Sequence, residues 1–402
     1  MESGKRAVVI VSLITALCLL GDAMLYVVLP IYWQEVGLTS WWEVGLVLSV
    51  NRLVRLPLNP LGGWVYQRYA VKTGLTIAVI LGVVTTMGYA VADTFLMWVI
   101  LRAVWGMAWT LLRLGGYYVV VASSASQNRG QYMGLYNGLY RLGNLVGAFS
   151  GGILADIMGY RQMAAVFGIL TVGAFVPLVM MRREAITTLV QTKGAVYLPR
   201  AIWSRSSFLW LMATGLVVTM LYQGILATIL SPLVSLHAET ISLGAGIILG
   251  ASSLGGLLQA VRWGWEPWGA PWIGRISDKL GSRGKMLAIS CGISAVLFAM
   301  MTLDVPMLVW ILIILGVQMG GTSLTTLSDA AAADRAAEAD SMAIMTWFSF
   351  AGDLGAAIGP LFALCIASSV GLHAVCWIGA IWLGVFAGYW YMMSNRKIKI
   401  EF

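Results

Sequence analysis

Charged side chains are scarce in this sequence. Of its 402 residues, 10% are Asp, Glu, Lys or Arg and 59% are hydrophobic, whereas about a quarter of the residues of a soluble domain are charged. Only two residues are histidine and four are cysteine. This composition excludes a soluble globular protein and predicts a chain that lies within a lipid bilayer.

Catalytic sequence patterns are also absent. The chain contains no H-E-x-x-H, no G-x-S-x-G and no G-x-x-x-x-G-K-[ST], the patterns of zinc peptidases, serine hydrolases and P-loop ATPases. The cysteines lie in apolar runs without metal-ligand spacing, which predicts packing residues: Cys18, Cys291, Cys365 and Cys376. We therefore predict neither an enzyme nor an ATP-driven pump, and no cofactor or metal. The net charge of +8 is spread between apolar runs, so we predict no nucleic-acid partner.

Twelve apolar runs are each long enough to cross a bilayer. They cover roughly residues 7–33, 42–66, 74–92, 95–122, 131–156, 160–181, 207–235, 241–272, 285–303, 305–328, 342–369 and 371–393. The fold class predicted is therefore an all-α integral membrane protein of twelve transmembrane helices. We expect an N-terminal six-helix bundle at 1–181, a cytoplasmic linker at 182–206 and a C-terminal six-helix bundle at 207–402.

The basic residues fall in alternate gaps between the runs. Eighteen of the 25 Lys and Arg residues lie at the two ends of the chain and in every second gap, whereas the opposite gaps hold only Arg161. Short cytoplasmic loops are enriched in Lys and Arg. The sequence therefore predicts a multi-pass protein of the cell (inner or plasma) membrane with both termini in the cytoplasm.

The two halves of the chain repeat one another. Gly143 and Gly147 in the fifth run recur as Gly355 and Gly359 in the eleventh, at an offset of 212 residues. Many transporters are built from such repeats around a site near the membrane midplane. We therefore expect two pseudo-symmetric bundles.

Nine charged residues lie inside the predicted spans: Asp22, Arg52, Arg55, Arg102, Arg113, Arg141, Arg262, Glu266 and Asp353. Because a charge that faces lipid costs about 2.5 to 3.5 kcal/mol on insertion scales, we expect them to pair or to line a wet cavity. Arg262 and Glu266 have the spacing of a helical ion pair, and Arg141 and Asp353 occupy equivalent positions of the repeats. The predicted substrate cavity is lined by three aromatic residues and seven of the charged residues: Tyr26, Trp105, Trp109, Arg52, Arg55, Arg113, Arg141, Arg262, Glu266 and Asp353. The excess of arginine favours an anionic or zwitterionic ligand group.

The loop after the eighth run carries a specific motif. Its sequence is Gly274-Arg-Ile-Ser-Asp278-Lys279-Leu-Gly281-Ser-Arg283, which matches the G-x-x-x-D-[RK]-x-G-x-[RK] loop of the major facilitator superfamily. The whole chain resembles that family. The counterpart in the first half begins at Gly63 and keeps Arg68, but has Gln67 in place of the aspartate. The resemblance implies a cytoplasmic gate in which an acidic side chain of each loop caps a helix N-terminus of the other bundle. Because Gln67 carries no charge, we expect its contact to be weaker than that of Asp278.

Two further segments resemble motifs of this family. The run Leu101-Arg102-Ala-Val-Trp105-Gly106 resembles the fourth-helix R-x-x-x-G motif, whose arginine is associated with proton coupling. The glycines Gly143, Gly147, Gly151 and Gly152 resemble the G-x-x-x-G-P-x-x-G-G motif of the antiporter branch, with Ala148 in place of proline. Glycines at this spacing are also a general helix-packing device.

We therefore predict a secondary active transporter that works by alternating access and exports an amphipathic small molecule in exchange for protons. Asp22 is the predicted proton carrier, and Arg102 favours its charged form until substrate or water separates them. The alternatives are a transporter of an organic anion or of a substrate with a lipid headgroup, and a passive facilitator. The expected partners are a small-molecule or lipid-like substrate, protons and membrane lipids.

Overall fold

The computed structural model describes residues 2–124, 129–181, 206–237, 240–242, 248–280, 282–338 and 342–395. Within these residues the chain is almost entirely helical. The elements, in chain order, are α1 (Glu2–Tyr32), α2 (Trp41–Arg68), α3 (Val71–Tyr89), α4 (Phe95–Ser123), α5 (Arg129–Met158), α6 (Tyr160–Val172), α7 (Phe175–Met180), α8 (Ser206–Thr219), a π-helical turn (Met220–Ile225), α9 (Leu226–His237), β1 (Thr240–Ser242), β2 (Ile248–Gly250), α10 (Ala251–Leu280), α11 (Arg283–Met300), α12 (Met307–Glu338), α13 (Met342–Ser369) and α14 (Leu372–Asn395).

These helices form twelve spans. Among the described residues, nine helical stretches are long and apolar enough to cross a membrane; α6 with α7 forms one of them, and α8, the π-turn and α9 form another. The other three spans are α2, α5 and α10, with 28, 30 and 30 residues. These three helices carry Arg52, Arg55, Arg141 and Arg262. The least apolar spans are therefore those that bring most of the arginines into the membrane.

The eighth apolar run differs from its prediction as a helix from about residue 241. Thr240–Ser242 and Ile248–Gly250 pair as short antiparallel strands, and the helix begins only at Ala251. The segment is rich in Ile and Gly. A short apolar stretch of this kind does not distinguish strand from helix by periodicity, and Gly disfavours the helix interior.

Two compact units make up the chain. The first contains Met1–Lys193 with Leu230–Trp263, and the second contains Gly194–Ile229 with Gly264–Phe402. The core of the first unit draws on most of its helices, and its buried residues include Ile14, Leu75, Trp105, Tyr136 and Leu178. A core cluster of the second unit includes Phe208, Ala332 and Phe348. Residues 182–205 lie outside the described residues, so the division at 1–181, 182–206 and 207–402 stays a prediction.

The internal repeat is visible in the helix packing of each half. A Cβ on Gly143 of α5 would overlap the carbonyl of Ala16 on α1, and a Cβ on Gly355 of α13 would overlap the carbonyl of Leu216 on α8. The first pair therefore aligns with the second, at offsets of 212 and 200 residues. Close backbone approach at small residues is the expected way for helices to pack in a membrane.

Turns and aromatic anchors repeat in the same way. Gly159 after α5 and Gly371 after α13 have positive φ values of 82° and 104°, a conformation that glycine adopts without steric cost. Trp98 of α4 and Trp310 of α12 are both 0% exposed. Each donates its indole N–H to a backbone carbonyl, at 3.2 and 3.1 Å. The described packing thus supports a duplication.

The cysteines are free thiols. Cys18, Cys291 and Cys376 are buried, in accord with the predicted packing role. Cys365 is exposed, so the packing interpretation is wrong for this residue. A residue on a membrane-spanning helix is packed only if its face meets another helix, and an apolar run alone does not specify that face.

Candidate functional site

An ion pair between Asp22 of α1 and Arg102 of α4 lies inside the first unit. Arg102 Nη1 is 2.5 Å from Asp22 Oδ1, and the exposed fractions of the two side chains are 0% for Arg102 and 15% for Asp22. A buried guanidinium is tolerated only when it is paired and hydrogen-bonded. The structure therefore brings together the two residues in which the sequence analysis placed proton coupling.

Three further groups fix the geometry of this pair. Arg102 Nε donates to the carbonyl of Val47 at 3.2 Å, and Arg102 Nη1 also lies 3.4 Å from the hydroxyl of Tyr89. Asn51 Nδ2 donates to Asp22 Oδ1 at 3.3 Å. The same carboxylate oxygen of Asp22 therefore accepts hydrogen bonds from two donors, Arg102 and Asn51.

The spacing of the R-x-x-x-G motif has a direct structural explanation. Arg102 binds the backbone of α2 at Val47, and Gly106, one helical turn later, lies against the backbone of α2 at Asn51. A Cβ at Gly106 would overlap the carbonyl oxygen of Asn51. The glycine thus lets α4 approach α2 closely enough for the arginine to reach its partners.

Gly106→Ala is expected to destabilise the protein by about 1 to 3 kcal/mol, because overpacking forces neighbouring backbone apart. The measurement is thermal unfolding of the detergent-purified protein. Gly138→Ala is the matched control, since a Cβ at Gly138 would have no described atom within 4 Å. Equal melting temperatures for the two variants would contradict the close approach of α2 and α4.

Tyr26 and Arg52 extend the site. Tyr26, one turn after Asp22 on α1, is 7% exposed and donates its hydroxyl to the carbonyl of Leu48 at 3.2 Å. The guanidinium carbons of Arg52 and Arg102 lie 5.7 and 5.9 Å from the centre of its ring, within the range of cation–π attraction. Asp22, Tyr26, Arg52 and Arg102 therefore form one connected cluster.

A second aromatic and basic group lies further along α4. Arg113 Nε donates to the hydroxyl of Tyr117 at 3.0 Å, with the guanidinium 5.7 Å from that ring. Trp109 packs edge-on against Tyr140, with ring centres 5.9 Å apart. Trp109 and Arg113 are half-buried. Trp105, in contrast, is 1% exposed and belongs to the hydrophobic core, a position that favours packing over a place in the cavity wall.

Arg141 and Arg262 meet at a tryptophan of α10. Their guanidinium carbons lie 5.9 and 5.4 Å from the ring of Trp263, and Arg262 is 4% exposed. Arg55, Glu266 and Asp353 are half-buried. The Arg262–Glu266 and Arg141–Asp353 pairs stay predictions.

The predicted cytoplasmic gate is described only in part. The side chains of Gln67 and Asp278 and the whole of Gly281 lie outside the described residues, so the gate itself stays a prediction. Arg68 and Lys279 are exposed. A Cβ at Gly63 or at Gly274 would have no described atom closer than 4.0 Å.

The last basic position of the loop motif is Arg283 in the second half and Lys72 in the first half, and both side chains bind a neighbouring helix. Arg283 Nε is 2.5 Å from Asp334 Oδ2, which fixes the start of α11 to the end of α12. In the first half, Lys72 Nζ donates to the carbonyl of Met181 at 2.6 Å. A lysine at a helix C-terminus satisfies carbonyls that have no partner within the helix.

The glycines of the antiporter-like motif pack two different helices against α5. Gly143, Gly147 and Gly151 face α1, where a Cβ would meet Ala16, Leu20 or Met24. Gly152 faces the carbonyl of Ser252 on α10. The helix-packing role of these glycines is therefore observed directly.

Several residues of the site were missed by the sequence analysis. Asn51, Tyr89 and Trp263 contact the charged side chains, and Asp156 at the end of α5 accepts three hydrogen bonds. Asn51 precedes Arg52 on a span rich in polar residues, which was an available signal. Tyr89 and Trp263 give no such signal, because tyrosine and tryptophan are common at membrane interfaces.

Comparison with known proteins supports the architecture. Residues 11–268 and 266–400 match the Major Facilitator Superfamily. Over 387 residues the chain is 24% identical to the multidrug resistance protein MdtG of Serratia proteamaculans strain 568, covering 93% of this chain and 90% of that protein. Over 165 residues it is 26% identical to the quinolone resistance protein NorA of Staphylococcus aureus strain MRSA252, covering 41% of this chain and 42% of NorA. The match thus spans less than half of the length of NorA.

A solved structure shows the same fold along nearly the whole chain. A crystal structure of the nucleoside transporter NupG, in a mutant form, superposes with a TM-score of 0.78 at 12% sequence identity, covering 97% of this chain and 99% of NupG. The predicted all-α fold of twelve membrane helices is thereby confirmed. This chain is a multi-pass membrane protein that belongs to the Major Facilitator Superfamily.

Proposed function

We propose that this chain exports an amphipathic small molecule in exchange for protons, by alternating access, with Asp22 and Arg102 as the coupling centre. The observation that carries the proposal is the contact between a fully buried guanidinium and a partly exposed carboxylate, at 2.5 Å, within a membrane unit. Ionisable groups inside membrane-spanning helices are functional by default. Relatives named for multidrug and quinolone resistance support export as the direction.

The coupling follows from which group titrates. Arginine stays protonated in proteins, so the proton is carried by Asp22. Protonation removes the negative charge that holds Arg102, which still has its contacts to the Val47 carbonyl, the Tyr89 hydroxyl and the Tyr26 ring. The protonated and charged states thus have different interhelical contacts, and a difference in free energy between conformations is what coupling requires.

The first unit contains side chains of the kinds that an amphipathic cargo would need. Trp109 is a half-buried aromatic side chain, and Arg52 and Arg113 are half-buried basic side chains. Trp109 Nε1 is a buried donor without a hydrogen-bond partner among the described residues. Apolar walls with a few placed polar groups are typical of small-molecule sites.

A second candidate function has a specific observation in its favour. Arg52, Arg55, Arg113 and Arg141 are all half-buried residues of the first unit, and the planar guanidinium group suits the recognition of carboxylate and phosphate groups. This distribution favours an organic anion, or a substrate with a lipid headgroup, as the cargo. It keeps the transport role and changes only the charge of the substrate.

The proposed function is tested in everted membrane vesicles that contain the chain. Export then becomes uptake into the vesicle, and we expect a fluorescent lipophilic cation to accumulate when the vesicle interior is acidic, with protons leaving as it enters. Vesicles without the chain are the control. Accumulation of a fluorescent aromatic carboxylate instead of the cation would favour the anion candidate. Equilibration without any dependence on the pH gradient would indicate a passive facilitator and overturn the proposal.

A further inference from the structure

A carboxylate joins three helices at the end of α5. Asp156 Oδ2 accepts hydrogen bonds from the backbone N–H of Ser253 at 2.9 Å and from the Ser253 hydroxyl at 2.6 Å. Asp156 Oδ1 accepts a hydrogen bond from the Tyr32 hydroxyl at 3.0 Å. Residues of α5, α1 and α10, all within the first unit, therefore meet at one side chain.

The contact with Ser253 satisfies the N-terminus of a long helix. Ser253 is the third residue of α10, which has 30 residues, and the first four N–H groups of a helix have no partner within it. A carboxylate in this position is also stabilised by the helix dipole. Asp156 itself is exposed whereas Ser253 is 3% exposed, so the carboxylate lies at the rim and covers a buried helix end.

The backbone around this contact is shaped to accept the carboxylate. A Cβ on Gly250, the last residue of β2, would overlap the carboxyl group of Asp156. Below it, Gly152 lies against the carbonyl of Ser252, and Gly256 lies against the carbonyl of Ala148. α5 and the first turns of α10 are therefore in close backbone contact directly beneath Asp156.

We propose that Asp156 is a latch that holds the first turn of α10 to α5 and α1, and that this latch opens when cargo passes the membrane face on which it lies. Tyr32 lies at the opposite end of α1 from Glu2, and the charge distribution predicts this face to be external. On the other face, the family resemblance predicts the same physical device at Asp278. The proposal rests on the alternating access of the proposed function, but not on the identity of the proton carrier.

The latch is tested by the reactivity of a thiol beneath it. Val27 of α1 is 0% exposed and lies 3.5 Å from a Cβ built on Gly256. In a Cys365→Ser background, we would place a reporter with Val27→Cys and measure its modification by a charged, membrane-impermeant methanethiosulfonate reagent. Asp156→Asn is expected to raise the modification rate about tenfold, because an amide turns its N–H₂ toward donors and loses acceptor capacity. Tyr32→Phe and Ser253→Ala each remove one hydrogen bond, so smaller increases are expected.

Two controls separate a latch from general damage. Cys18 is 0% exposed in the core of the first unit, so its modification reports unfolding rather than opening of the latch. Asp93→Asn is the matched control, because Asp93 is an exposed aspartate of the first unit that pairs with Arg161 and not with α10. An unchanged rate at the reporter in Asp156→Asn, or an equal rise at Cys18, would overturn the proposal. Neither outcome depends on transport, so failure of the latch and failure of the proposed function are distinguishable.

Discussion

Asp22→Asn is expected to abolish transport driven by a pH gradient while leaving substrate binding intact. The amide keeps the size of the side chain and can still accept the hydrogen bond from Asn51, but it neither binds a proton nor attracts Arg102 by charge. Without two charge states, a proton gradient has no means to favour one conformation. Accumulation in everted vesicles should fall to the level of vesicles without the chain.

Substrate binding by the Asp22→Asn variant is measured separately, as thermal stabilisation of the purified protein by the cargo. Binding to the folded state raises apparent stability by mass action, and we expect this effect to remain. Asp93→Asn is again the matched control, since that exposed carboxylate pairs with Arg161 outside the coupling centre, and it should transport normally. Gradient-driven accumulation by Asp22→Asn at the wild-type rate would show that another group carries the proton.

Arg102→Met is expected to destabilise the protein by about 3 to 5 kcal/mol, the cost of removing one partner of a buried ion pair. Methionine fills a similar space, but it leaves Asp22 without its guanidinium partner and removes the hydrogen bond from Arg102 to the Val47 carbonyl. Thermal unfolding of the detergent-purified protein is the measurement. Because the Asp22 side chain that remains is 15% exposed, solvent offers it little compensation.

The double variant Asp22→Asn with Arg102→Met isolates the pair. Removing both charges leaves no uncompensated ion, so the double variant is expected to be more stable than Arg102→Met alone. The unfolding free energies of the wild type, the two single variants and the double variant then give the coupling free energy between the two side chains. If the effects of the two substitutions simply add, the contact at 2.5 Å is not a strong interaction, and the proposed coupling centre loses its energetic basis.

The charge pair belongs to one half of the duplicated chain. The offset of 200 residues that aligns Ala16 with Leu216 makes Tyr222 the equivalent of Asp22 in the second half. The offset of 212 residues that aligns Trp98 with Trp310 makes Ile314 the equivalent of Arg102. Tyr222 and Ile314 are both 0% exposed. The duplication has kept the helix packing but not this ion pair.

The second half differs at the same position in its backbone. The π-helical turn Met220–Ile225 contains Tyr222, and a Cβ on Gly224 within it would overlap Gly359 of α13. π-helical turns are often found at functional sites. The equivalent positions in the first half, which include Asp22, lie in regular α-helix.

The sequence by itself determined the membrane architecture. Lipid leaves no partner for an open backbone group, so apolar runs of sufficient length become helices regardless of their neighbours. The same constraint explains why Asp22 and Arg102 could be identified as candidate functional residues from the sequence. A charge in an apolar run needs a partner, whatever the fold. The strands before α10 were missed because a short run rich in glycine and isoleucine does not distinguish strand from helix by its periodicity.

Only the tertiary structure decided which groups meet. Hydropathy does not say which face of a helix contacts which neighbour, so it assigned neither Trp105 to the core nor Cys365 to the surface. The partners of Arg102 come from α1, α2 and the end of α3, and the donors to Asp156 come from α1 and α10. These contacts depend on side-chain direction and on close approach at glycines such as Gly106, and both arise only when helices distant in sequence pack together.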